Sequence, residues 1–133
     1  MKASELMIGD WVRVRLPWRC PVDGRLEIRT YTHRVAGVRT YGPDADTIYI
    51  EAAGVRPQDI EPIPLTPEIF ENNGFIVGSF WAEYKDDDCT IELFGENISI
   101  KNGRGPWLRG KWSFVHELQH ALRLCGIDKE LTL

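Results

Sequence analysis

Cysteine, histidine and methionine are scarce in this chain of 133 residues, which holds three, three and two of them. Cys20, Cys89 and Cys125 lie far apart. An odd, scattered set excludes a disulfide framework and suits a reducing compartment, so a cytoplasmic location is expected. No apolar run approaches the roughly 18–20 residues that a membrane-spanning helix needs. The first ten residues lack the apolar stretch of a secretory signal. With 43% hydrophobic and 27% charged residues, the chain is no disordered tail, which would be poorer in apolar residues. A net charge of −4 argues against gross charge-driven binding to nucleic acid or to anionic lipid. The length fits one domain, or two small subdomains sharing a core.

What is present is a segregation of charge. Residues 11–40 hold seven arginines against Asp23 and Glu27, a sum of +5. Residues 41–98 hold thirteen acids against Arg56 and Lys85, a sum of −11, and residues 99–133 sum to +3. A mildly acidic average therefore leaves room for a basic face. Such asymmetry marks either a footprint for an acidic partner or two halves that complement each other across an internal interface, the blander reading, since half-buried strands must expose polar residues on one face.

The first half alternates with period two. Val12, Val14 and Leu16 share one face and Arg13 and Arg15 the other, with Gly9-Asp10 as a turn before them. Pro17 is expected to end this strand for want of a ladder donor. An Asp23-Gly24 turn precedes a second strand over 26–31, and 33–41 forms a third with Gly37 as a bulge. Gly42-Pro43-Asp44 turns into a strand over 47–51, and a last one over 59–61 is closed by Pro62 and Pro64. Five short strands suggest a small SH3-like β-barrel over residues 1–62.

Residues 63–133 read as a short helix, an antiparallel β-meander and a C-terminal helix, so the whole is α+β. Thr66 caps the short helix, Pro67 opens it and Gly74 stops it, with Phe75 folding back on Phe70. Strands follow over 75–84, 89–94, 98–101 and 107–112, separated by polar turns at 85–88 and 95–97. Ser113 is placed to cap the final helix, which runs to Cys125 and ends at Gly126 with Ile127 against Leu122. Residues 128–133 form a closing strand or a tail.

One motif carries chemistry. His116-Glu117-Leu118-Gln119-His120 matches H-E-x-x-H, in which two histidines one helical turn apart hold Zn²⁺ and the glutamate activates its water. The extended zinc motif fails, since Arg123 and Gly126 stand where it needs glycine and a third histidine. Only Asp128 and Glu130 are available as downstream ligands. On a wheel of about 100° per residue, His116 and His120 fall roughly opposite the Leu118/Leu122 stripe, on the face expected to meet water. A zinc hydrolase using Glu117, His116 and His120 is thus the weaker reading, and neither a catalytic residue nor a cofactor is assigned. Asp86-Asp87-Asp88 lacks the glycine and distal glutamate of a calcium loop. Cys20 has no neighbouring histidine, and Gly103-Arg104-Gly105-Pro106 is no phosphate loop. Trp18, within Leu16-Pro17-Trp18-Arg19, reads as an exposed loop tip beside arginine, suited to a recognition surface.

Three blocks carry a resemblance: residues 1–12 (MKASELMIGDWV), 60–69 (IEPIPLTPEI) and 115–127 (VHELQHALRLCGI). They resemble a family of small uncharacterised proteins of gut bacteria of the Bacteroides type and their phages or mobile elements. That resemblance brings no activity; it implies a cytoplasmic accessory protein, phage- or element-derived. The expected function is a non-enzymatic binding module. Arg13, Arg15, Trp18, Arg19, Arg29 and Arg34 would meet an acidic partner, protein or nucleic acid, with no membrane involved. A self-assembling structural protein is the remaining alternative, and the oligomeric state stays open.

Overall fold

A computed structural model of the chain describes residues 1–40, 46–51 and 53–133. They form two compact units, Met1–Ile63 and Pro64–Leu133. The turn expected at Gly42-Pro43-Asp44, and the end of the third strand at Tyr41, lie outside the described residues.

The first unit is one antiparallel sheet of β1 (Trp11–Arg19), β2 (Leu26–Arg39), β3 (Thr47–Ile50), β4 (Ala53–Val55) and β5 (Ile60–Glu61), in the order β4-β3-β2-β1-β5. Period-two alternation buries Val12, Val14, Val35, Ile48, Ile50, Val55 and Ile60, and a 3₁₀ turn at Ala3–Glu5 adds Ala3 and Leu6 to this core. Asp10 is fully buried; its carboxylate accepts the Met7 N–H at 2.8 Å and fixes the turn into β1.

Several expectations change. The barrel is not closed: among the described residues no ladder joins β4 to β5. β5 offers two residues, both paired with β1, before Pro62 and Pro64 withhold donors. The strands expected over 26–31 and 33–41 are one strand, β2, whose pairing with β3 shifts between Val35 and Gly37, a bulge at Ala36. Pro17 does not end β1. Even-numbered residues of β1 bond to β2, as Val35 N–H to Asp10 O and Cys20 N–H to Arg25 O show at the two ends of the register, both at 2.8 Å. Pro17 is odd-numbered, so its nitrogen points away from β2, on the side where β5 reaches only Arg13 and Val14. A proline there costs no ladder bond.

The second unit begins with α1 (Pro67–Asn72), capped as expected by the Thr66 hydroxyl, which accepts the Ile69 N–H at 3.3 Å. Gly74 takes φ 84°, and the rings of Phe70 and Phe75 meet at 5.0 Å. The strand expected over 75–84 is instead a hairpin, β6 (Ile76–Val77) and β7 (Trp81–Lys85), because Gly78 N–H bonds to Trp81 O across a tight Ser79-Phe80 turn. β8 (Cys89–Phe94), β9 (Asn97–Asn102) and β10 (Trp107–Lys111) complete a meander ordered β10-β9-β8-β7-β6. Its inner face buries Ala82, Cys89, Ile91, Ile98 and Ile100.

The last helix, α2 (Val115–Leu124), buries Val115, Leu118, Ala121 and Leu122 and stops at Gly126, φ 71°. The Asn102 amide donates to Cys125 O at 2.7 Å, tying the end of β9 to the end of the helix. Residues 128–133 form no strand, yet Leu131 is buried and Thr132 is held by Asn73. With two antiparallel sheets and this helix, the architecture is mainly β and compatible with the α+β class. Among the described residues no helix is long and apolar enough to cross a membrane.

Candidate functional site

The β1–β2 hairpin outruns the core. Its register pairs Trp11 through Arg19 with Arg34 through Leu26, but the core takes only Val12, Val14 and, in part, Leu16 from β1. Beyond Leu16 both faces of the hairpin are largely exposed, up to the Asp23-Gly24 turn. In that turn the Arg25 N–H, with a bond from the Cys20 side chain, holds the Asp23 carboxyl below its ordinary range.

Because β1 continues through Pro17, the parity of each residue decides its face. Odd-numbered residues of β1 and their even-numbered partners on β2 share the outer face: Trp11 with Arg34, Arg13 with Thr32, Arg15 with Thr30, Pro17 with Ile28 and Arg19 with Leu26. The inner face holds Val12, Val14, Leu16 and Trp18, opposite His33, Tyr31, Arg29 and Glu27. The six residues singled out as a partner surface are therefore divided. Arg13, Arg15, Arg19 and Arg34 stand together on the outer face, whereas Trp18 and Arg29 lie on the inner one.

Trp18 is not a loop tip. It is half-buried in the strand, and the Arg29 guanidinium covers its ring 3.3 Å from the centroid, a cation–π stack. Glu27 sits 3.4 Å from Arg29 and 2.9 Å from Arg25, offsetting charge on that face. An indole so covered is no open stacking platform for a base.

The outer face is differently arranged. Arg34 lies over the Trp11 ring at 4.7 Å. Arg15 is drawn towards the neighbouring edge, bonding to Gln58 O at 2.7 Å and pairing with Glu61 at 3.5 Å. Arg19 donates to Gly24 O at 3.2 Å, and Arg13 is exposed opposite Thr32. Ile28 and Leu26, 67% and 59% exposed, continue this face with Pro17. Sequence reasoning missed Trp11, Leu26 and Ile28 as members of the surface. Parity with Arg13 and Arg15 already places Trp11 there, and Leu26 and Ile28 follow once the strand is carried past Pro17.

The histidine motif is built otherwise than the wheel suggests. His116 is 6% exposed and Gln119 8%, so α2 buries an arc much wider than its leucine stripe, and the expectation of a water-facing histidine face fails. The two imidazoles stand edge to face at 5.6 Å. Glu117 is engaged elsewhere. Its carboxylate accepts the N–H groups of Phe114 at 3.1 Å and Ser113 at 3.2 Å. The helix thus starts from Phe114, which has no capping oxygen, rather than being capped by Ser113, and Glu117 at the third helical position reaches back to the N–H groups that precede the helix. Among the described residues, no group of three or more His, Cys, Asp or Glu side chains is gathered to hold a metal ion.

The Asp86–Asp88 turn likewise has a local role. The Asp86 carboxylate accepts the Tyr84 hydroxyl at 2.7 Å and the backbone N–H groups of Asp88 and Cys89 at 2.7 and 2.8 Å. These bonds, that from Tyr84 first, lower the Asp86 pKa, and the bond to Asp86, with some burial, pushes the Tyr84 phenol up to about 12.

No protein-family model, curated protein or solved structure matches this chain significantly.

Proposed function

We propose that the protein is a non-enzymatic interaction module, in which the outer face of the β1–β2 hairpin receives an acidic partner, protein or nucleic acid. One observation carries the reading: Arg13, Arg15, Arg19 and Arg34 share one strand-pair face, on which Arg15 pairs with Glu61. A row of guanidinium groups with exposed apolar neighbours suits phosphates or carboxylates, since a guanidinium can bond two oxygens of such a group at once. The apolar residues Leu26 and Ile28 give such a partner contact area beyond charge. The strand order β4-β3-β2-β1-β5, with a 3₁₀ turn at Pro57–Asp59 directly before β5, supports an open relative of the SH3-like barrel as the scaffold. A cytoplasmic accessory role, phage- or element-derived, is consistent with this reading.

The test is retention of the purified chain on single-stranded DNA, duplex DNA and polyglutamate at low salt, followed by a salt series. The reading expects retention on at least one polyanion, with affinity falling steeply as salt rises. No retention on any of the three, or binding indifferent to salt, would sink it.

A further inference from the structure

The second unit carries a cleft of about 380 Å³ at the end of its sheet, where the Ser79-Phe80 and Gly95-Glu96 turns meet the start of α1 and Trp112. That volume lies within the range of roughly 300–1,000 Å³ typical of small-ligand sites. Four aromatic residues, Phe70, Phe80, Trp81 and Trp112, line it together with aliphatic and small polar residues. Phe80 is 78% exposed at the rim and Trp81 43%, an unusual display of large apolar surface beside a cleft.

Two glycines seat the indoles. A Cβ at Gly110 would fall 2.6 Å from the Trp112 ring, and one at Gly78 would overlap the Trp81 indole nitrogen, so both rings lie directly on backbone. Each ring is thus seated against backbone on one side. Glu96 is the one charged residue among those lining it. It is exposed, and no hydrogen bond or ion pair engages it among the described residues.

We propose that this cleft binds a small hydrophobic cation of the alkylammonium class. Aromatic faces attract a cation through their quadrupoles, and a tryptophan does so best. A single carboxylate with no cation of its own adds the matching charge, and the apolar walls accept the alkyl groups. A neutral apolar molecule would gain only the last of these contributions, and an anion would be repelled by Glu96. The site shares no residue with the hairpin, so its fate and that of the hairpin reading are separate.

The experiment uses the full chain, with choline as the cation and 3,3-dimethylbutan-1-ol as its neutral isostere. Each is titrated at constant ionic strength to about 50 mM, a range suited to ligands of so few atoms. The tryptophan indole N–H signals are followed by NMR. Choline should move the Trp81 and Trp112 signals and bind about fivefold more tightly than the alcohol, the scale of one moderate cation–π contribution. Glu96→Gln, in an exposed turn, should weaken choline while leaving the alcohol unchanged. Equal binding of the two probes, an unshifted pair of indole signals, or a preference that survives Glu96→Gln would each overturn the proposal.

Discussion

Reversing charge on one face of the β1–β2 hairpin and then on the other separates a specific surface from a general electrostatic effect. Arg13 is exposed opposite Thr32 on the outer face, so Arg13→Glu leaves the core residues Val12 and Val14 in place. Arg29→Glu makes the same charge change on the inner face, where it removes the stack on Trp18 and leaves Glu27 without one of its partners. Of the four arginines on the outer face, Arg15 pairs with Glu61 at 3.5 Å, Arg19 donates to Gly24 O and Arg34 lies over the Trp11 ring. Two to three phosphates neutralised on duplex DNA would give a slope of log affinity on log salt of about −1.8 to −2.7. Between about 50 and 200 mM salt, affinity should then fall about 10- to 40-fold. Arg13→Glu should flatten that slope by about one and weaken binding uniformly across sequences. Arg29→Glu should leave the slope unchanged. Fluorescence anisotropy with a labelled duplex at four salt concentrations reads both quantities, with thermal melts confirming that each variant is folded. Equal effects of the two variants, or an unaltered slope for Arg13→Glu, would refute the division of the hairpin into a binding and a non-binding face.

Three further outcomes are expected. Asn73, buried, bonds through its amide to Ile69 O and Thr132 O at 2.7 and 2.8 Å and accepts the Thr132 N–H at 2.7 Å. At roughly 1 kcal/mol net for each bond, less what water restores at exposed Thr132, Asn73→Ala should cost about 2 kcal/mol in urea unfolding; a loss below about 0.5 kcal/mol would count against the tie. Glu117→Ala removes the acceptor for two N–H groups at the start of α2 and should cost about 1 kcal/mol, whereas Glu117→Gln should retain most of the stability because its amide oxygen still caps. Burial, aided by the Asp86 charge, pushes the Cys89 thiol up to about 11 from an ordinary 9.0. Its neutral form therefore favours folding below pH 9 and that contribution is lost as pH rises towards 11. At about pH 8 iodoacetamide should accordingly modify the more accessible Cys20 well before Cys89, as peptide mass analysis would show, and the reverse order would contradict the burial.

Short-range chemistry was legible where it is local. The Thr66 cap, Pro67 at the first helical position and Gly74 in the left-handed region describe α1 from both ends, because each acts within a few residues. The Asp23-Gly24 turn and the stop at Gly126 belong to the same class. β4 was not legible: Ala53-Gly54-Val55 has neither length nor alternation, and it pairs only because β3 offers it an edge. The hairpin of β6 and β7 was hidden because its central pair, Ser79-Phe80, is not the Asn-Gly or Asp-Gly pair of a strong turn signal, and Gly78-Ser79 alone is a weak one.

By itself, then, the sequence determined the mainly β character, the antiparallel meander, the two helices and the concentration of arginine in residues 11–40, all set by periodicity, capping and composition. Tertiary structure decided which arginines act together. Proline breaks a strand only where its missing N–H faces a partner, and at Pro17 it faces away from β2, so β1 continues and side-chain parity runs on through Arg19. That one fact moved Trp18 onto the inner face beneath Arg29 and left Arg13, Arg15, Arg19 and Arg34 together outside. It likewise took the packed fold to bury His116, engage Glu117 as a cap, and gather Phe80, Trp81, Glu96 and Trp112 around one cleft. Burial and convergence of residues distant in the chain depend on what surrounds each element, and periodicity within an element does not carry that information.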